Sequence, residues 1–273
     1  MKAVEKRRMC PHCRAFITTS DKVCPYCDTP VGPKAIDVRS PGDLLGGLIP
    51  GGQFVTVLIL TINAGMFLVT WLASAKLGEG AALTLYGAAR GELIVAGQWW
   101  RLITAGFLHG GLLHIAFNSW ALMDVGRHTE EVYGPRRMVV IYLLSTIGGF
   151  LASMLWNRNV FSVGASAGLF GLIGAMIIVG LLHRNSHEAK AIKEFYIRWA
   201  IYGLLWGLLP IGIDNAAHIG GMLTGCAVAW IAGTPREFNV RKEQFWGVVC
   251  WVMVALTVYS FVQMFMWNRS VAG

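Results

Sequence analysis

Three stretches of this 273-residue chain place hydrogen-bond donors, a base and a nucleophile in apolar surroundings. The first runs His109-Gly110-Gly111-Leu112-Leu113-His114-Ile115-Ala116-Phe117-Asn118. His114 and Asn118 are four residues apart, so a helix puts both on one face. Alone, such a pair reads as polar glue between helices. The second, Gly164-Ala165-Ser166-Ala167-Gly168, is a serine among small residues. GxSxG resembles a nucleophile turn, but the usual hydrolase elbow joins a strand to a helix, and no strand is expected here. The third is Ala217-His218-Ile219-Gly220-Gly221. Gly221 and Gly225 share a helical face with His218. Gly164, Gly168, Gly171 and Ala175 form a matching small-residue face on the helix of the serine. A close crossing of the two faces would bring the His218 imidazole within reach of Ser166 Oγ. A hydroxyl beside an imidazole is the chemistry of nucleophilic acyl transfer. Asp214 lies four residues before His218, so a third member is conceivable. Capping of the helix by Asp214 or Asn215 is the preferred reading.

A different chemistry stands near the N-terminus, where Cys10-Pro11-His12-Cys13 and Cys24-Pro25-Tyr26-Cys27 form two CPxC turns. Each turn presents two thiolates on one side of a tight loop. Cys10, Cys13, Cys24 and Cys27 together suffice for a closed tetrahedral zinc site. So short a piece cannot bury a core, and metal binding would supply its folding energy. Residues 1–30 are therefore expected to form a small structural zinc-ribbon-like module, and residues 31–52, rich in Gly and Pro, a flexible linker. Cys226 and Cys250 sit alone in apolar segments and read as small core residues.

The elements that must carry the three polar stretches are membrane helices. Hydrophobic residues make up 55% of the chain and charged residues 14%, and mean hydropathy is +0.54. Soluble domains carry roughly a quarter charged residues. Seven spans are expected: Phe54–Ala75, Leu112–Val125, Met138–Trp156, Phe161–Leu182, Trp199–Ile213, Ala216–Ala232 and Phe245–Trp267. Their runs are continuous rather than alternating, against a barrel, and no cleavable signal peptide is expected before them. With the N-terminus in the cytoplasm, 18 of the 23 basic residues fall on the inside and five outside. The positive-inside rule then sets the N-terminus in and the C-terminus out. The charge is thus topological, with some attraction to anionic lipid, and no nucleic-acid partner is expected. In this orientation His109–Asn118, Ser166 and His218 reach one depth from three separate helices.

These residues resemble the rhomboid family of intramembrane serine proteases, over roughly Phe54–Gly233. The family's HxxxxHxxxN is present as His109, His114 and Asn118, its GxS as Gly164-Ala165-Ser166, and its AHxxG as Ala217-His218-Ile219-Gly220-Gly221. Trp100-Arg101 looks like the pair of the family's first external loop. Gly126, Glu130 and Gly134 match a GxxxExxxG pattern. There are two departures. Ala167 stands where Gly is frequent. Phe170 stands where a Tyr often stacks beneath the histidine, so the ring is kept and the hydroxyl lost.

The resemblance implies an all-α membrane protein: a rhomboid-like bundle of six helices over residues 53–233, and one additional helix at 245–267. It implies a Ser166–His218 dyad that cleaves transmembrane segments of protein substrates near the outer face of the cell membrane. His114, Asn118 and the Ser166 backbone N–H are the candidates for an oxyanion hole. His109, Gly164, Phe170, Trp100, Arg101 and Glu130 are expected to shape or support the cavity. No cofactor is implied for catalysis. A rhomboid-like pseudoprotease that binds membrane-protein clients is the alternative. A transporter with a metal-binding head fits less well, because no internal repeat and no deep Asp, Glu, Lys or Arg is present.

Overall fold

A computed structural model describes residues 7–10, 12–13, 15–18, 21–31, 53–209, 212–234 and 240–272. The linker expected at 31–52 lies, but for Val31, outside them. The N-terminal piece is a hairpin of β1 (Arg7–Met9) and β2 (Phe16–Thr18), in the register Met9↔Phe16. Cys10, Ile17, Cys24 and Val31 are buried together beneath it.

The membrane part begins with α1 (Phe54–Leu77). A long connection follows, containing α2 (Glu79–Leu85), β3 (Ala89–Arg90), α3 (Gly91–Val95), α4 (Arg101–Thr104) and a 3-10 turn at Ala105–Phe107. Then α5 (Leu112–Ala121) passes through a π segment, Leu122–Gly126, into α6 (Arg127–Trp156). Strand β4 (Phe161–Ser162) precedes α7 (Ser166–Leu182), α8 (His187–Trp206), α9 (Asn215–Ala232) and α10 (Val240–Ala272). Helix α6 is broken at Gly134, where φ is 78° and Pro135 follows. Only glycine takes that φ without strain, and proline cannot continue the preceding turn. The break divides α5–α6 into two arms, and each of the seven expected segments overlaps a helix among the described residues.

Phe54–Leu77, Leu112–Trp156 and Val240–Arg269 are long and apolar enough to cross a membrane. The outward faces of α1 and α10 expose Leu68, Trp71 and Leu72, and Trp251, Val258 and Phe265, which suits lipid rather than water. The core lies where the second arm of α6 meets α7, with Met138, Ile141, Tyr142, Leu172 and Met176 closed off. Helix α7 is apolar all round and buried on nearly every side, the pattern of a central helix.

Several boundaries differ from expectation. Residues 127–133 continue the second helix instead of forming a loop. Arg127 pairs with Glu131 across one turn at 3.1 Å, and the Thr129 hydroxyl donates to the Val125 carbonyl. A helix can run past the hydrocarbon edge while its side chains meet water and headgroups. The fifth helix starts at His187 rather than Trp199, because Ser186 caps it by accepting from the Ala189 N–H at 3.2 Å. It ends at Trp206 rather than Ile213. The fourth helix begins at Ser166, not Phe161, because Phe161–Ser162 pairs with Ala89–Arg90 as a short antiparallel ladder.

Two kinds of contact hold the arrangement. One is polar. The carboxylate of Glu130, 4% exposed, accepts from the N–H groups of Val55 and Thr56 and from the Thr56 hydroxyl, each at 3.0 Å. Those N–H groups open α1 and have no partner within it, so Glu130 caps that helix from 74 residues away. At the same end, Arg137 meets Glu243 with two hydrogen bonds, at 2.8 and 3.2 Å, and lies over the Trp246 ring, tying α10 to α6.

The other contact is steric. A Cβ on Gly225 would stand 2.1 Å from the Gly171 carbonyl oxygen, and one on Gly221 2.2 Å from that of Ala167. Backbone therefore touches backbone where α7 crosses α9. Gly168 does not join that crossing. It receives the Tyr142 ring of α6, which would lie 2.6 Å from its Cβ. The small-residue stripe of α7 is thus shared between two neighbours.

Glu130→Ala leaves three buried donors without an acceptor, and thermal unfolding in detergent should show a loss of about 2–4 kcal/mol. Gly225→Val forces α9 off α7, and the same measurement should show a loss of about 1–3 kcal/mol or more. Wild-type midpoints for either variant would remove that contact from the account.

Candidate active site

Ser166 is the first residue of α7, directly after Gly164-Ala165. The chain reaches it from β4 through Gly164, whose φ of 130° suits glycine. The Gly164 N–H donates to the Ala105 carbonyl at 3.0 Å, which fixes the turn against the long connection. A Cβ at Gly164 would lie 2.7 Å from His114 Nε2 and 3.6 Å from Ser166 Oγ. The missing side chain is therefore the space in which the serine hydroxyl and the imidazole of His114 face each other. Ser166 is half-buried, and its hydroxyl makes no hydrogen bond among the described residues. As the opening residue of the helix, it leaves its N–H without an intrahelical acceptor, at the positive end of the helix dipole.

His114 reaches this space from the first turn of α5. Its Nδ1 accepts from the Gly110 N–H at 3.3 Å. A ring nitrogen that accepts carries no proton, so the proton of the neutral ring sits on Nε2, the atom beside Gly164. His114 is thereby set as a donor. Asn118, one turn on and 7% exposed, spends one amide proton on the His114 carbonyl at 3.0 Å and retains the other. His109 lies behind this pair at 2% exposure, its ring edge-on to His114 at 5.2 Å between centroids. Its two ring nitrogens have no partner among the described residues.

His218 enters from the first turn of α9, at 6% exposure. Its imidazole lies flat on the Phe170 ring, 4.1 Å between centroids and 13° between planes. Phe170 is one turn after Ser166 on α7. Its other side meets Gly203 of α8, where a Cβ would stand 2.7 Å from the ring tip. Three helices thus clamp the aromatic pair, with Phe170 one turn beyond the serine on α7. The loss of the hydroxyl at position 170 leaves the stack intact. Nδ1 of His218 is buried and has no hydrogen-bond partner among the described residues. Asp214 does not reach it for that purpose: its carboxylate accepts from the Ala217 N–H at 3.0 Å and from the Ser153 hydroxyl. Asp214 is the helix cap, as preferred from sequence.

Trp100 and Arg101 lie in the long connection, not at the serine. Trp100 is 6% exposed and packs on Trp267 of α10. Arg101 donates from Nε to Gln98 and from Nη1 to the carbonyls of Thr84 and Ala88, each at 2.8 Å. It gathers the turns of the connection around one guanidinium. Glu130 stands at the far end of α1, as described above. Sequence reasoning missed Ala105, Gly203 and Ser153. Ala105 acts through its carbonyl, Gly203 through the space it leaves and Ser153 through a hydroxyl that reaches across 61 residues, and single-sequence reading has no signal for any of these.

The four sulfurs of the N-terminal module form a separate cluster. Cys10 Sγ lies 3.7 Å from Cys27 Sγ, Cys13 Sγ lies 3.6 Å from Cys24 Sγ, and all four fall within 4.8 Å of one another. A tetrahedron of Zn–S bonds has an edge of about 3.8 Å. The spacing fits a bound metal ion and exceeds any disulfide. The Thr29 hydroxyl and N–H beside Cys27 push its thiol down to about 5.

The Rhomboid domain family model matches residues 96–235, just over half of the chain. The chain is 39% identical over 208 residues to Rhomboid protease GluP of Bacillus subtilis (strain 168), covering 76% of this chain and 40% of that protein. It is 40% identical over 156 residues to the mitochondrial RHOMBOID-like protein 6 of Arabidopsis thaliana, covering 56% and 50%. It is also 41% identical over 127 residues to Inactive RHOMBOID-like protein 8 of the same plant, covering 46% and 36%. The chain spans half or less of the length of these relatives. The polar residues of α5, α7 and α9, the helices that bear them and these matches together make the chain a membrane protein of the rhomboid family.

Proposed function

We propose that the chain is an intramembrane serine endopeptidase that cuts transmembrane segments of membrane proteins with a Ser166–His218 dyad. One observation carries this reading: Ser166 Oγ and His114 Nε2 share the space left by Gly164, while His218 lies stacked one turn below the serine. Ser166 attacks the scissile carbonyl. His218 takes the hydroxyl proton and returns it to the leaving amine. Phe170 holds the imidazole plane, in place of a hydrogen bond to Nδ1. The developing oxyanion is received by His114 Nε2–H, the free amide proton of Asn118 and the Ser166 N–H. His109 supports His114 from behind.

The reaction needs water, and the half-exposed serine at a helix start is where water enters. With 18 basic residues on one side and five on the other, the N-terminus lies in the cytoplasm and the site opens to the outer face of the cell membrane. The substrate is a membrane helix whose upper end unwinds into the opening. Residues 53–233 are the catalytic unit, α10 is an addition to it, and residues 1–30 are a cytoplasmic module held by structural zinc. Catalysis itself uses no metal.

A second reading has one specific support: a relative named inactive is 41% identical to this chain. In it the same bundle binds membrane-protein clients without cutting them. A fluorophosphonate probe separates the two. The full chain in lipid should be labelled and should cleave a model transmembrane substrate. Ser166→Ala and His218→Ala should each reduce cleavage by about 10³-fold or more, and Ser166→Ala should abolish labelling. An unlabelled wild type that retains client binding would establish the second reading.

The metal reading has its own test. Purified chain should contain one zinc per molecule, and Cys24→Ser should lose it. Stripping the metal should expose the N-terminal module to trypsin while cleavage of the membrane substrate continues. Zinc-free preparations with an equally protected module would overturn it.

A further inference from the structure

A cleft of about 830 Å³ opens beside the long connection, between α2, the β3–α3 segment, β4 and the end of α10. It lies at the same end of the bundle as Ser166, since Phe161 of β4 lines it and the serine follows β4 within a few residues. Much of its lining is apolar, including Leu85, Leu93, Phe161 and Trp267. Asn268 closes one edge by donating to the Leu85 carbonyl at 2.8 Å. Two guanidiniums border the space, Arg90 and Arg101.

Their situations differ. Arg90 already pairs with Glu92. Arg101 is 3% exposed and has no carboxylate partner among the described residues. Three of its five N–H groups go to Gln98, Thr84 and Ala88. All three acceptors are neutral. The two N–H groups on Nη2 have no acceptor among the described residues, and Nη2 is not sealed in protein. The cleft is where they are reached. Burial, with the like charge of Arg90 added, holds the Arg101 pKa down to about 10, so the group remains charged at neutral pH. A buried charge facing only dipoles gains strongly from a counter-ion placed at its open donors.

We infer that this cleft is a binding site for a phosphate oxyanion borne by an anionic phospholipid, with the phosphate on Arg101 and the acyl chain along the apolar wall. The lining selects the amphiphile over free phosphate, which shares the headgroup chemistry. A zwitterionic lipid would set its own cation against two arginines. The bound lipid stitches α10 to the connection through the face that carries Trp267.

Native mass spectrometry of the full chain in detergent tests this with dioleoylphosphatidylglycerol, dioleoylphosphatidylcholine and inorganic phosphate. Phosphatidylglycerol should be retained roughly tenfold over phosphatidylcholine at equal concentration. Ala81→Trp fills the cleft from an exposed position on α2 and leaves the Arg101 hydrogen bonds in place. It should reduce phosphatidylglycerol retention roughly fivefold with an unchanged unfolding midpoint in lipid-free detergent. Displacement of the lipid by millimolar phosphate would support the anion site and make a free anion its source. Equal retention of the two lipids, or full retention by Ala81→Trp, would overturn the inference.

Discussion

Everything at the candidate site depends on how closely α7 and α9 approach. Side chains at both crossing points would hold the helices apart by the thickness of a methyl group or more. At Gly221 and Gly225 there is none, so the carbonyls of Ala167 and Gly171 meet the opposite backbone directly. In lipid this contact gains nothing from a hydrophobic force between helices, because the alternative surroundings are equally apolar. It rests on packing and on the absence of atoms. His218 is one turn before Gly221, and Ser166 is one residue before Ala167. The contact that fixes the helix pair therefore also fixes the depth of both functional groups. Gly149 extends the same logic to α6, where a Cβ would stand 2.6 Å from the Ala217 carbonyl.

The second constraint is how a histidine is aimed without a carboxylate. A Ser–His–Asp arrangement uses a hydrogen bond to Nδ1 to set ring orientation and tautomer. Here the nearest acid on the same helix is spent on the helix cap, and Nδ1 has no partner among the described residues. Orientation comes instead from the stack on Phe170, which Gly203 allows to sit deep. An offset or parallel aromatic contact is worth about 0.5–1.5 kcal/mol beyond burial. That is enough to fix a plane, though it does not choose a tautomer. His114 shows the opposite solution, with its tautomer fixed by a backbone donor from Gly110. Two imidazoles in one cavity are thus positioned by different forces for different proposed tasks.

Much of this was legible in the sequence because its causes are local or periodic. Apolar runs marked segments that are helical among the described residues. The i, i+3, i+7 relation of His218, Gly221 and Gly225 indicated which face of α9 would be bare, and the CPxC pairs indicated which thiols would converge. Helix ends were less legible. Arg127–Glu131 and His187–Lys190 look like loop because they are charged, yet a helix can emerge from lipid and retain its hydrogen bonds. The partner of Gly168 was also invisible. A small-residue stripe says that something approaches closely, not which neighbour does, and Tyr142 of α6 takes the place expected for α9. Glu130 matched a family pattern, but its task as a remote cap for α1 depends on a contact across 74 residues.

The long connection between α1 and α5 shows why a polar group can be retained in an apolar region without acting on a substrate. Its short turns expose carbonyls that no regular ladder satisfies. Arg101 answers two of them and a glutamine amide at once, which a lysine could not do from one fixed plane. The cost is a buried charge, and a charge is satisfied by dipoles only in part. Along α10, Trp267, Met264 and Tyr259 pack on this same connection, against Trp100, Gly87 and Trp99. Helix α10 is therefore a wall for the segment that Arg101 organises. The Gly164 turn hydrogen-bonds to the last part of that segment, at Ala105. A continuous chain of contacts runs from α10 through the connection to the residue before the serine turn, so the position of the seventh helix bears on the geometry of the first turn of α7.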